Sequence, residues 1–149
     1  MVTFKCIRFS ELTVDELYKI LMLRAEVFVV EQHSPFQDPD GNDPLARHCI
    51  GTDDTGQIVA YTRIFDRGII YKDYTSIGRV VASPLIRGQN IGKQLMKVSI
   101  EYCHQLFGNE PIKIGAQTYL LKFYSSLGFV STGEEYLEDG IPHTKMVFK

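Results

Sequence analysis

Long apolar runs are missing from this 149-residue chain, and no segment approaches the ~20 consecutive apolar residues that a helix needs to cross a bilayer. The opening MVTFKCIRFS also lacks the basic start and apolar stretch of a secretory leader, so a cytoplasmic protein without membrane partners is expected. Cysteine is scarce. Cys6, Cys49 and Cys103 are odd in number, show no Cys-x-x-Cys spacing and sit in apolar stretches, which argues against a disulfide framework and for buried thiols in a reducing compartment. A surplus of either charge is missing too. The 16 Lys and Arg face 18 Asp and Glu, for a formal charge of −2, so no net basic field exists to gather a nucleic acid. Any anion site must be made locally, from backbone dipoles and a few cations.

Metal ligands at useful spacing are absent as well. His48 and Cys49 are neighbours, as are Cys103 and His104; adjacent strand residues point to opposite faces and adjacent helix residues do not converge, so no metal is expected. The stretch Asp38-Pro39-Asp40-Gly41-Asn42-Asp43 places its glycine too early for a calcium loop and has no glutamate at the loop's closing position. It reads as a structured loop on the acceptor side.

What is present is 44% hydrophobic sequence in a chain long enough to bury roughly 70% of its unfolded surface, enough for one core and a cleft. Residues 1–149 are therefore read as a single domain. Phe4 to Phe9 favours a strand, and Thr13 with Glu16 forms a capping box ahead of a helix whose apolar residues Leu17, Tyr18, Leu21, Ala25 and Phe28 recur to about Val30. Ser34 to Pro44 is a loop by composition. Arg47 to Thr52 and Gln57 to Phe65 read as a hairpin, and Thr75 to Ser83 as a central strand stopped by Pro84. Ile91 to Leu106 has helical spacing and is ended by Gly108 and Pro111, before a strand from Ile112 to Ala116. Strand, helix, strand requires a parallel pair. A helix over Thr118 to Leu127, capped by Thr118 and closed by Gly128, precedes strands at Phe129 to Gly133 and His143 to Phe148. The fold class is α/β (α+β): a mixed, mostly antiparallel sheet with a central parallel pair and helices on both faces.

Between the central strand and the long helix lies Arg87-Gly88-Gln89-Asn90-Ile91-Gly92-Lys93. The first-turn amides of a helix lack intrahelical partners and carry the positive end of the dipole, so this loop is an anion site into which glycines let a phosphate approach closely. A Walker loop is excluded, because three residues rather than four separate the glycines and Gln94 follows the lysine. A dinucleotide fingerprint is excluded by the absence of Gly-x-Gly-x-x-Gly.

With these excluded, the sequence resembles the GNAT superfamily of acyl-CoA-dependent N-acetyltransferases, whose loop pattern is Arg or Gln, two residues, Gly, one residue, Gly or Ala. Arg87 and Gly92 match, while Asn90 replaces the middle glycine; Asn is the side chain that best tolerates left-handed φ. Phe123-Tyr124-Ser125-Ser126-Leu127-Gly128-Phe129 is similar to the family's second signature. RAEVFVVEQ (Arg24 to Gln32), the DPDGND loop, IGRVVASP (Ile77 to Pro84), Ala116-Gln117 and GEEYLEDGIPH (Gly133 to His143) resemble the ElaA-like branch, so the likeness covers nearly the whole chain.

The resemblance implies acetyl-CoA as cosubstrate and a small-molecule or peptide amine as acceptor, attacked directly in a ternary complex. It puts the coenzyme's pyrophosphate on Arg87, Gly88, Gln89, Asn90, Ile91, Gly92 and Lys93, its pantetheine arm along Val80, Val81 and Ala82, and Gln117 and Tyr124 beside it, the parallel strands splaying around the acyl group. Tyr124 is the implied acid for the leaving thiolate. For the base, Glu31 leads because it ends an apolar run where desolvation raises a carboxyl pKa, with His33, Glu134, Glu135 and His143 as alternatives. Arg24, Phe28, Glu31, His33 and His143 are the candidate acceptor residues. Arg24, Arg63 and Arg79 either hold an anionic group of the acceptor or pair with internal acids. Exposed edge strands permit a homodimer. A coenzyme-binding sensor that transfers nothing is the competing function, and thiol release separates the two.

Overall fold

The computed structural model describes residues 1–149. Its seven strands are β1 (Thr3–Arg8), β2 (Arg47–Thr52), β3 (Ile58–Phe65), β4 (Thr75–Ala82), β5 (Ile112–Gln117), β6 (Phe129–Glu138) and β7 (Ile141–Phe148). They form one sheet in the order β1-β2-β3-β4-β5-β7-β6, antiparallel throughout except for the β4–β5 pair.

Period-two alternation along β3 supplies both cores. Ala60 and Ile64, joined by Ile77 of β4, pack against Leu95, Met96, Ile100 and Cys103 of α2 (Ile91–Phe107). Between them Thr62 is buried, and its hydroxyl pairs with that of Ser99 at 2.7 Å. On the opposite face Tyr61, with Ile50 and Val81, packs against Ile20 and Leu23 of α1 (Val14–Arg24). Each helix therefore covers one side of the sheet.

The capping box starts α1 as expected: Glu16 N–H donates to Thr13 Oγ1 at 3.0 Å and Thr13 N–H to Glu16 Oε1 at 2.9 Å. After Arg24 the helix does not continue in regular form. Ala25–Glu31 adopts the wider π-helical turn, a local form that recurs at functional sites. The widened turn keeps Arg24 pointing inward while Val27, Phe28 and Glu31 line a cleft.

Two further elements differ from expectation. The segment from Thr118 is a 3-10 turn (Thr118–Leu120) followed by the short α3 (Leu121–Ser126), and Thr118 does not cap it. Its hydroxyl instead pairs with Thr144 of β7 at 2.9 Å, fixing this segment to the sheet. Gly128 ends α3 with φ +106, where an added Cβ would lie 2.9 Å from the Phe148 ring. The β6–β7 hairpin also runs farther than its apolar residues indicate. Asp139 and Gly140, at φ +50 and +78, make a two-residue turn of the kind that matches strand twist, so β6 extends to Glu138 and β7 begins at Ile141.

The parallel pair is hydrogen-bonded only at Thr75–Ile112 and Ser76–Lys113. Beyond it β4 follows β3 and β5 follows β7 as far as Gln117–His143, so the sheet opens into a wedge. A bulge gives the cause. Tyr61 opposes Val81 and Arg63 opposes Gly78, which leaves one extra residue on β4, and Arg79 there has φ +48. Such an insertion bends its strand and increases the twist, carrying β4 away from β5.

Candidate functional site

The wedge forms a cleft of about 420 Å³. Its walls are β4 from Ile77 to Ala82, β5 at Ile114, Gly115 and Gln117, the π turn at Phe28 and Glu31, the loop at Ser34 and Phe36, and the hairpin from Glu138 to His143. A Cβ on Gly115 would run into the Tyr136 hydroxyl, which would have to shift. A second cavity of about 440 Å³ shares Ala82 and Arg87 with the first and is lined by Gly88, Asn90, Ile91, Gly92 and Lys93. Gln89 is exposed and lines neither.

Loop conformation follows from residue type. Asn90 takes φ +61 and ψ +18, the left-handed geometry expected of the residue in the family's glycine position, and its side chain does not cap α2. The first-turn amides therefore keep no side-chain partner from this residue. A Cβ on Gly88, at φ +86, meets nothing within 4 Å, and one on Gly92 meets only the Phe123 ring at 3.7 Å. The space over the amides is open on both sides, which fits an anionic ligand lying against the backbone.

Arg87 Nη1 donates to Glu31 Oε2 at 2.7 Å, and its other amino group reaches the Ala82 carbonyl at 3.3 Å. The guanidinium beside Glu31 holds that carboxyl below the usual carboxylate range. The expected desolvated, raised Glu31 is thus corrected: the residue is solvated and committed to a cation, which makes it a weak base. Glu134 and Glu135 are exposed and outside the cleft, Glu134 pairing with Lys145 at 3.1 Å. His33 is exposed, at φ +50, and does not line the cleft, so the expectation that it meets the acceptor is also corrected.

Arg24 is corrected most clearly. It is 0% exposed, with Nε donating to Asp38 and Nη1 to Asp43, each at 2.8 Å. Arg63 donates to Asp40 at 2.6 Å and Asp43 at 3.0 Å, and Arg79 donates to Asp38 at 2.8 Å. Three guanidinium groups and three carboxylates neutralise one another, and the DPDGND loop is held to the sheet by them. His48 lies beneath, buried, with Nε2 2.9 Å from the Asp43 carbonyl and Nδ1 2.6 Å from the Tyr61 hydroxyl. A carbonyl only accepts, so Nε2 carries the proton and Nδ1 accepts from Tyr61. Burial pushes the His48 pKa down.

Tyr124 lines the cleft from α3 at 5% exposure, edge-on to Phe123 and Phe129, and its hydroxyl makes no hydrogen bond within the protein. Burial pushes its phenol well up, so the proton stays on oxygen at neutral pH. Gln117 joins the π turn through reciprocal amide bonds with Gln32 at 3.1 and 3.4 Å. Phe28 and His143 line the cleft. Sequence reasoning missed Gln32, Phe36, Glu138 and Asp139. The Asp139-Gly140 turn signal, once used, would have placed Glu138 and His143 on one hairpin.

The family model described as an acetyltransferase (GNAT) domain matches residues 14–149. Protein ElaA from Escherichia coli is 42% identical over 98% of this chain and 95% of its own length. Among solved structures, an acyl-CoA N-acyltransferase from Pseudomonas aeruginosa is 40% identical with a TM-score of 0.93, and Escherichia coli ElaA is 40% identical with a TM-score of 0.91, each covering 100% of both chains.

Proposed function

This chain belongs to the GNAT acetyltransferase family, and from that premise we propose that it carries the acetyl group of acetyl-CoA directly to an amine nitrogen, with both substrates held in the wedge between β4 and β5. The observation that carries the reading is the parting of that strand pair after two rungs, at the end of which lies the open helix N-terminus.

Bound acetyl-CoA supplies an activated thioester. The backbone of Arg87 to Lys93 holds its diphosphate through unpartnered amides, and Glu31 fixes Arg87 beside them. Along Val80, Val81 and Ala82 the edge of β4 that β5 leaves unpaired offers the Val80 and Ala82 backbone groups, so the ligand's own amides add to the strand edge. An amide near Val81 polarises the thioester carbonyl, an interaction commonly worth ~3 kcal/mol. Tyr124 protonates the departing sulfur, since its hydroxyl is proton-bearing and free of other partners. Phe28 and Phe36 close the acceptor side and exclude water.

Acetyl-CoA at ~100 times its dissociation constant stabilises the fold by about 2.7 kcal/mol, whereas ATP and NAD do not. Thermal unfolding with each ligand checks the coenzyme site, and release of free thiol over a panel of amines checks transfer. Acetyl-CoA binding without thiol release for any amine would reduce the protein to a coenzyme-binding module. Failure to bind would remove the reading altogether.

A further inference from the structure

We infer that His143, backed by Glu138, takes the proton from the incoming ammonium and delivers it to solvent. The inference rests on the transfer reaction proposed above and supplies its missing proton acceptor. His143 lies on β7 opposite Gln117 of β5 and Tyr136 of β6, 6% exposed and facing the cleft. Its Nδ1 is 2.7 Å from the Ile141 carbonyl. A carbonyl oxygen only accepts, so Nδ1 carries the hydrogen, and in the neutral ring the lone pair is on Nε2. This tautomer makes Nε2 the base. The Tyr136 ring lies 5.4 Å away, tilted by 30°, and holds the imidazole plane.

Glu138 gives the second part of the route. Its Oε2 is 3.5 Å from Nε2, too far and wrongly paired for a hydrogen bond while both atoms are acceptors. Once Nε2 is protonated the same pair becomes an ion pair, and the half-exposed carboxylate opens to water. Other charged or titratable groups on the cleft are Asp139 from the hairpin, Tyr124 from α3, Tyr119 beside it, Arg79 on β4, and the Glu31–Arg87 pair opposite. Asp38 neutralises Arg79 and Arg87 engages Glu31, so the uncommitted charges at the hairpin end are acids. An ammonium is favoured there as the arriving form.

The protons balance. The reaction R–NH3⁺ plus acetyl-S-CoA gives R–NH–acetyl, CoA-SH and one H⁺. Nitrogen gives up two protons: the first passes to His143 Nε2 and leaves by way of Glu138, and the second returns to the Tyr124 oxygen in place of the proton that Tyr124 gives to sulfur. The C–S bond breaks as the C–N bond forms.

The test compares kcat/KM against pH for wild type, H143Q and E138Q with two acceptors: putrescine, an alkyl diamine that is protonated at neutral pH, and methoxyamine, a weakly basic alkoxyamine that is neutral there. H143Q is expected to lose about 100-fold on putrescine at neutral pH, to recover as pH rises, and to lose little on methoxyamine. E138Q is expected to alter the ascending limb without changing acetyl-CoA affinity. Equal losses on both amines would mark a merely structural histidine and overturn the inference, as would an unchanged putrescine profile. Should H143Q fold poorly, added imidazole must restore H143A on putrescine, and failure to do so overturns the inference as well. Wild type that binds acetyl-CoA yet acetylates neither probe overturns the parent reading together with this one, a result distinct from an active enzyme with an unaltered H143Q profile.

Discussion

Tyr124 and Arg24 illustrate how burial gives opposite meanings to polar side chains. The Tyr124 hydroxyl has no partner in the protein and reaches a cleft, which marks it for a ligand atom. Tyr124→Phe keeps the aromatic packing and removes only the proton, so kcat is expected to fall about 100-fold while acetyl-CoA affinity stays within about twofold. Steady-state kinetics with calorimetry checks this, and an unchanged kcat would remove Tyr124 as the acid. Arg24 instead has each of its three guanidinium nitrogens donating to Asp38 or Asp43. Arg24→Met leaves those carboxylates buried without their cation and is expected to destabilise by about 3–5 kcal/mol, read as a lower urea midpoint at unchanged slope. The identity of these residues was visible in the chain, but their partners were not. Arg24 sits in a motif-like run and Glu31 ends an apolar stretch, yet Asp38 lies across a loop and Arg87 is 56 residues away from Glu31. Pairings at that separation depend on how the backbone is routed, which local pattern does not encode.

Elements were more legible than side-chain partners, because periodicity and capping act within a few residues. The boundaries of β2 and the start of α2 fall where expected, and the Asn90 loop takes the left-handed conformation its residue type favours. That conformation is testable. Asn90→Gly is expected to leave acetyl-CoA affinity within about twofold, since glycine tolerates positive φ, whereas Asn90→Val, β-branched and strained there, weakens it by about tenfold. Calorimetric titration distinguishes the two, and equal affinities would show that loop geometry does not set binding. The π turn, the Thr118 turn and the β4 bulge were not legible. Each is a local compromise with a tertiary demand: Arg24 reaching the Asp38–Asp43 loop, Thr118 reaching Thr144, and Arg79 reaching Asp38 from a strand that must also leave β5. The hairpin turn is a different case, since Asp139-Gly140 carries a strong local signal that weak apolar alternation in β6 obscured.

At the scale of the whole molecule, the buried charge network ties stability to pH. Arg63 holds the Asp40 carboxyl well below the ordinary 3.8. Burial alone would raise Asp43, but its bonds to Arg24 and Arg63 prevail and lower it. Burial lowers His48 from 6.5, so the folded state resists a proton that the unfolded chain accepts. The signs agree. The His48 contribution is complete above about pH 6.5 and declines as pH falls below it, and the aspartate contributions are complete above about pH 3.8 and are lost through lower pH. The urea midpoint is therefore expected to be level between about pH 7 and 8, to fall between pH 6 and 5, and to fall more steeply below pH 4. A midpoint that rises on acidification between pH 6.5 and 5 would contradict the buried neutral His48.

Composition and local pattern by themselves determined the α/β class, the strand and helix order, the parallel pair, and a glycine-bearing helix mouth. All of these follow from interactions between residues close in sequence, where turn chemistry, period and caps act. Only the tertiary structure decided that Arg24, Arg63 and Arg79 serve the DPDGND loop rather than a ligand, that Glu31 serves Arg87, and that His143 lines the cleft with Nδ1 against the Ile141 carbonyl. Those outcomes turn on burial and on contacts between distant segments, and the energy of a charge or a lone pair is set by whichever groups the fold brings beside it.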